Sequence, residues 1–172
     1  FSPINTMQVV AELFDVDIET LSSTGHMLRV DLPNDTKNTL NWHQDSAYYE
    51  QNQKGDNGLA VLLPLVDLNI ENGALNILKG SHKEETLEHK LPKKHQHSSE
   101  KFTIPEEIRK KYDNVSLIAE TGDAVFLQIN LIHKSGFNSS DKTRFSAGIR
   151  FHNTIATDFI PDRLIYELNK TA

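Results

Sequence analysis

The feature that most constrains this chain is its punctuation. From Gly25 onward, apolar residues come in short β-like runs separated by turn-forming residues, with little helical periodicity between them. Eight such runs stand out, at 26–32, 40–45, 59–68, 74–78, 116–120, 124–129, 131–135 and 144–152. The separators include Pro33-Asn34-Asp35, Gly55-Asp56-Asn57-Gly58, Asn72-Gly73, Gly122-Asp123 and Asn138-Ser139-Ser140-Asp141, all residues that accept tight turns. Short strands at this density build an antiparallel sandwich or barrel, and eight is the strand number of a jelly roll. The class expected is therefore mainly β with flanking helices. At 172 residues the chain fits a single domain.

Two helical patterns interrupt the β texture. Over 6–21, Val9, Val10, Leu13, Phe14 and Val16 recur at helical spacing. The charged segment 82–114 has a second pattern around 105–112 and reads as an insertion between the fourth and fifth strands, of the kind that forms lids. The third run begins Leu-Ala-Val-Leu-Leu-Pro-Leu-Val without alternation, which requires cover on both faces; the helix over 6–21 is one candidate cover.

Composition narrows the function. With 18 basic against 24 acidic residues and a net charge of −6, the chain lacks the basic footprint of a nucleic-acid binder. Its longest apolar run, 59–66, is broken by Pro64 and falls far short of the roughly 18 residues a membrane-spanning helix needs. Cysteine is absent, which excludes disulfides, thiolate metal sites and a thiol nucleophile. A cysteine-free chain fits the reducing cytoplasm. Any metal must be held by His, Asp or Glu.

The sequence offers such a set. His43 and Asp45 are two apart on an expected strand, so their side chains share a face while Gln44 points away. A lone His-x-Asp is common in proteins without a metal. His133, flanked by apolar residues, reads either as a core histidine or as a third ligand. Ser135 shares its face, and a turn over 137–143 is expected to return the chain so that Arg144 stands across the ladder from Ser135. From Arg144 the strand alternates: Phe145, Ala147, Ile149 and Phe151 on one face, Arg144, Ser146, Gly148 and Arg150 on the other. The polar set is read as pocket lining, and the apolar set as packing beneath covering helices.

Together these residues resemble the phytanoyl-CoA dioxygenase-like family of Fe(II)- and 2-oxoglutarate-dependent oxygenases. The resemblance runs through Trp42-His43-Gln44-Asp45, Asn72-Gly73-Ala74-Leu75, Lys79-Gly80-Ser81-His82, Gly122-Asp123-Ala124-Val125-Phe126 and His133-Lys134-Ser135-Gly136-Phe137-Asn138, with Arg144 eleven residues after His133. It covers the chain from about Arg29 to His152. It implies a double-stranded β-helix, a cupin-like jelly roll, over a single oxygenase domain spanning 1–172 that lacks some N-terminal residues. It implies His43, Asp45 and His133 as ligands of Fe(II), and Arg144 with Ser135 as the clamp on the distal carboxylate of 2-oxoglutarate. The reaction implied is hydroxylation of a small-molecule C–H by O2, with 2-oxoglutarate decarboxylated to succinate. Lys79 departs from the proline often found before the Gly-Ser-His turn.

His82 is read as a structural turn residue and the His89, His95 and His97 cluster as a solvated loop, while Arg29 is a candidate to reach the barrel mouth. The segments 82–114 and 47–57 are expected to frame that mouth. Two other readings remain: a cupin-like metal- or ligand-binding module without oxygenase activity, and a hydrolase activating water at Zn(II). Prime substrate and oligomeric state are not written in the sequence.

Overall fold

A computed structural model describes residues 3–48, 51–52, 57–87 and 103–161. Helix α1 (Pro3–Phe14) opens the chain, and strand β1 (Leu21–Asp31) follows after one 3-10 turn at Ile18–Thr20. Strands β2 (Gly58–Pro64) and β3 (Asn76–Leu78) precede a short helix, α2 (Glu106–Arg109), and then come β4 (Asn114–Ser116), β5 (Val125–Gln128), β6 (His133–Lys134) and β7 (Arg144–Asn153). The strands form two antiparallel sheets, one in the order β1-β7-β2-β5 and the other in the order β4-β3-β6. The mainly-β, jelly-roll expectation holds. Among the described residues no helix is long and apolar enough to cross a membrane.

Helix α1 is shorter than its pattern suggested. Asp15 turns left-handed at φ 54, and the Val16 amide reaches back to the Ala11 carbonyl, closing the helix at Phe14. Asp tolerates this conformation, so no glycine marks the stop. The buried stripe also differs from the one expected: Met7, Val10 and Phe14 pack on the sheet, whereas Val9 and Leu13 are exposed.

Val10 joins Leu59, Val61 and Phe151 in the core beneath α1. The other face of β2 carries Ala60 and Leu62 into an internal cavity, which explains why this strand lacks alternation. On the opposite sheet, Trp42, Leu78, Ile104 and Ile132 form a second cluster covered by Ile108 and Tyr112 around α2. Removing such side chains from water stabilises the fold by about 1.5–3 kcal/mol each.

Two strand expectations need correction. The run 40–45 is no regular strand; a single bridge, His43 to His133, ties it to β6, and at Asp45 the chain enters a 3-10 turn, Asp45–Ala47. The expected hairpin between the last two runs does not form either. β6 pairs with β3, while β7 pairs with β1 and β2, so Arg144 stands opposite Asp31 and not Ser135.

The cause lies in the connection. Gly136 lies so close to the Gly73-Ala74 backbone that a Cβ there would stand 2.2 Å from the Ala74 carbonyl oxygen. Beyond it, the buried Asn138 side chain donates to the Asp31 carbonyl (3.0 Å) and the Lys142 carbonyl (2.8 Å). The chain thus crosses from one sheet to the other instead of folding back.

Of the segment 82–114, only 82–87 and 103–114 are described, and His89, His95 and His97 lie outside the described residues. So does part of the 47–57 segment.

Candidate metal centre

The site is built on a reciprocal backbone pair. The His43 amide donates to the His133 carbonyl and the His133 amide to the His43 carbonyl, both at 2.9 Å. Alternation then sends Trp42 and Ile132 outward into the second core cluster and leaves both imidazoles on the inner side. Ser81, in the turn Ser81–Lys83, accepts the Ile132 amide at 2.9 Å and so fixes the backbone beside His133. His82 in that turn is exposed and takes no part in the site.

Asp45 joins from its 3-10 turn, which the Ser46 amide anchors to the Ile129 carbonyl at 3.0 Å. Gln44, fully buried between the two ligand positions, points away as expected. Its amide group donates to the Asn130 carbonyl (2.9 Å) and the Glu85 carbonyl (3.1 Å), and its oxygen accepts the Leu87 amide (2.8 Å).

Oδ1 of Asp45 lies 3.6 Å from Nε2 of His43 and 3.9 Å from Nε2 of His133. One potential ligand atom from each residue falls within 4.8 Å of the others, and among the described residues this is the one cluster of its kind. The tautomers are set by the far nitrogens: Nδ1 of His43 is 2.7 Å from the Asn41 carbonyl, and Nδ1 of His133 is 2.9 Å from the Leu131 carbonyl. A carbonyl only accepts, so each Nδ1 carries the proton and each Nε2 presents a lone pair inward.

The electrostatics agree. Burial, with the His43 ring beside it, pushes the His133 imidazole down to about 4, leaving it neutral at physiological pH. For Asp45, burial acts to raise the pKa, but the contact with His43 and the neighbouring His133 and Arg150 outweigh it and hold the carboxyl well below the usual carboxylate range. Two imidazole nitrogens and one carboxylate oxygen, all hard or borderline donors, suit a divalent first-row metal, and non-haem Fe(II) in particular.

A second polar cluster lies beside the first. The Arg29 Nε donates to both Asp31 oxygens (2.9 and 3.0 Å), and its Nη2 donates to the Asn38 carbonyl (2.7 Å) and the Ser135 hydroxyl (3.1 Å). Ser135 Oγ also accepts the Leu40 amide at 3.0 Å, which leaves its own hydrogen free to be donated. Arg144 is 1% exposed and its Nη2 donates to Asp31. Burial, with the Arg29 charge, holds the Arg144 pKa below its usual range, and the Asp31 carboxylate offsets that only in part. Its Nε and the Ser146 hydroxyl are buried without a hydrogen-bond partner. Two guanidiniums around one carboxylate leave a net positive charge with donors unused.

The cavity between the sheets, about 110 Å³, is bordered by His43, Asp45, His133, Ser135, Arg29 and Arg150 among apolar walls from Met27, Leu62, Leu75 and Leu127. Arg144 lies behind this lining and not in it. Sequence reasoning missed Asp31 as the partner of Arg144 and gave Arg150 no role beyond the polar face. Arg150 Nε in fact donates to Oδ2 of Asp45 at 3.3 Å. Arg29-x-Asp31 and Arg144-x-Ser146 shared the two-residue spacing that flagged His43 and Asp45, and were the available signals.

Comparison with known proteins bears on the family and the fold. A family model described as phytanoyl-CoA dioxygenase (PhyH) matches residues 8–146. No curated protein matches. Among solved structures, EvdO2 from Micromonospora carbonacea var. aurantiaca, complexed with 2-oxoglutarate, superposes with a TM-score of 0.74 at 22% identity, covering 94% of this chain and 63% of that one. The non-heme alpha-ketoglutarate-dependent carbocyclase SnoK from nogalamycin biosynthesis gives 0.69 at 20% identity, covering 97% and 62%. The epimerase SnoN, in complex with Fe3+, alpha-ketoglutarate and nogalamycin RO, gives 0.67 at 19% identity, covering 94% and 59%. The chain thus spans about three-fifths of the length of these structures, and at such identities they establish the fold. With the family model reaching from α1 through the start of β7, the chain belongs to the phytanoyl-CoA dioxygenase (PhyH) family.

Proposed function

We propose that the protein is an Fe(II)- and 2-oxoglutarate-dependent dioxygenase that hydroxylates a C–H bond of a small molecule. One observation carries this reading: His43, Asp45 and His133, remote along the chain, converge in one cavity with both Nε2 lone pairs and a carboxylate oxygen turned to a common point. Such a triad leaves three coordination positions open. The ion, once bound with 2-oxoglutarate, would supply the O2 chemistry, including decarboxylation of the co-substrate to succinate.

The chain's own residues do the rest. His43 and His133 hold their rings by Nδ1–H bonds to backbone carbonyls, so neither must reorganise to bind. Ser135 has a hydrogen to donate, and Arg144 Nε and Ser146 Oγ are unpartnered donors in a positive environment. We assign the distal carboxylate of 2-oxoglutarate to this cluster, with Arg144 and Ser135 as its clamp. Because Arg144 sits behind the cavity lining, this assignment requires its fork to turn from Asp31 toward the ligand. Apolar walls from Met27, Leu62, Leu75 and Leu127 line the cavity beside the candidate reacting centre. We read residues 1–172 as one oxygenase domain, with the insertion 82–114 fastened to the metal loop at its start, where Gln44 holds Glu85 and Leu87.

A second reading is favoured by one observation, the engagement of Arg144 by Asp31: a metal-binding module in which that ion pair is structural and 2-oxoglutarate is not bound. Anaerobic titration with Fe(II) and then 2-oxoglutarate separates the two. The dioxygenase gives a weak metal-to-ligand charge-transfer band in the visible and releases succinate on admission of air. A colourless complex that forms no succinate, with or without candidate substrates, rejects it.

A further inference from the structure

We infer that Arg150 is a positioning residue for the metal-binding carboxylate: by engaging Oδ2 of Asp45 it presents that side chain to an ion through Oδ1 alone. The inference rests on the reading of His43, Asp45 and His133 as a metal centre and adds a fourth side chain with a defined task.

The two oxygens of Asp45 face different neighbours. Oδ1 lies 3.6 and 3.9 Å from the two imidazole Nε2 atoms, and Oδ2 lies 3.3 Å from Arg150 Nε. Free carboxylates offer both oxygens equally, and one that binds through both occupies two adjacent coordination positions. With two imidazoles, that would leave an octahedral ion two open positions instead of three. A charge-assisted hydrogen bond on Oδ2 biases the group toward binding through one oxygen.

The fold makes room for this contact. Arg150 stands on the cavity-facing side of β7, between Thr24 on β1 and the small Ala60 on β2. Strand β1 breaks register between Thr24 and Met27, and within that bulge Gly25 takes φ +62. A Cβ on Gly25 would lie 2.6 Å from Arg150 Nη1, so the guanidinium occupies space that only a glycine leaves. A cation this close to a divalent ion repels it. Metal affinity therefore does not account for its position, whereas its contact with Oδ2 bears directly on the orientation of Asp45.

The test uses the full chain and Co(II), an air-stable spectroscopic substitute for Fe(II). Co(II) is titrated into the wild type, Arg150→Met and Gly25→Ala, followed by the visible ligand-field spectrum, and 2-oxoglutarate is then titrated into each loaded protein. Arg150→Met is expected to bind Co(II) at least as tightly as the wild type, with an altered ligand-field spectrum, and to bind 2-oxoglutarate about tenfold more weakly. Gly25→Ala keeps both charges but displaces the flexible guanidinium, and is expected to change the spectrum and the 2-oxoglutarate affinity in the same direction.

A wild-type spectrum and wild-type 2-oxoglutarate affinity in Arg150→Met overturn the inference alone. Parallel loss of Co(II) and 2-oxoglutarate binding also overturns it, since that marks a general structural role. Failure of the wild type to bind Co(II) overturns the metal-centre reading and this inference together. If the wild type binds Co(II) but not 2-oxoglutarate, the spectra alone decide.

Discussion

Each imidazole of the candidate metal centre is committed to one tautomer before any ion arrives, and the carboxylate between them stays ionised. Asp45→Asn preserves the shape but removes the charge, so Fe(II) or Co(II) affinity is expected to fall by at least about tenfold, the equivalent of about 1.4 kcal/mol. Anaerobic calorimetry measures this, and unchanged affinity would place the ion elsewhere. Arg144→Ala is expected to weaken 2-oxoglutarate binding to the metal-loaded protein by about 2–4 kcal/mol, the range for breaking a buried charge pair. Equal affinity in that variant would leave Arg144 with only its Asp31 partner and a structural role. The convergence of the three side chains was legible in two steps: the two-residue spacing paired His43 with Asp45, and the family resemblance brought in His133. Asp31 and the Arg150 contact were not, since each depends on which strands become neighbours.

At the scale of elements, long strands declared themselves and short connections did not. β2, β5 and β7 lie within a few residues of their apolar runs, because burial on one or both faces imprints a period. The start of β1 was hidden by Ser22, Ser23 and Gly25, which carry no apolar run but form the strand and its bulge. The β6–β7 crossing was hidden too, since nothing in a turn-rich stretch says which sheet receives the next strand. Its tight point makes a prediction: Gly136→Ala forces a methyl against the Ala74 oxygen and the Gly73 backbone, neither of which can yield, and is expected to destabilise by about 3 kcal/mol or more. Gly80→Ala is the control. Its Cβ meets nothing within 4 Å, so only the left-handed conformation opposes it, at about 1–2 kcal/mol. Urea unfolding of both variants ranks them, and an equal or larger loss at Gly80 contradicts the packing account.

For the molecule as a whole, acid sensitivity should track its buried histidines. His152 lies between the Thr24 hydroxyl (2.9 Å) and the Asn52 side-chain oxygen (3.1 Å), tying β1, β7 and the 51–52 segment together. Burial, helped by the Arg150 charge, pushes its imidazole down to about 4. The unfolded chain protonates this group near 6.5, the ordinary value for histidine, before the folded protein does. Stability is therefore full above that pH and declines as the pH falls toward 4, with this residue contributing at most about 1.4 kcal/mol per pH unit. His133 adds the same sign in metal-free protein. Thermal melts at pH 7, 5.5 and 4 should show the decline, and His152→Gln should flatten it; an unchanged pH profile in that variant removes His152 as a cause. The mutual amide bonds of His43 and His133 carry one more consequence. An ion seated above that pair acts as a reversible rivet between distant stretches of polypeptide, and at 100 times its dissociation constant it adds about 2.7 kcal/mol to the folded state. A melting curve recorded against added cation thereby becomes a gauge of how full the seat is, readable before any substrate is known.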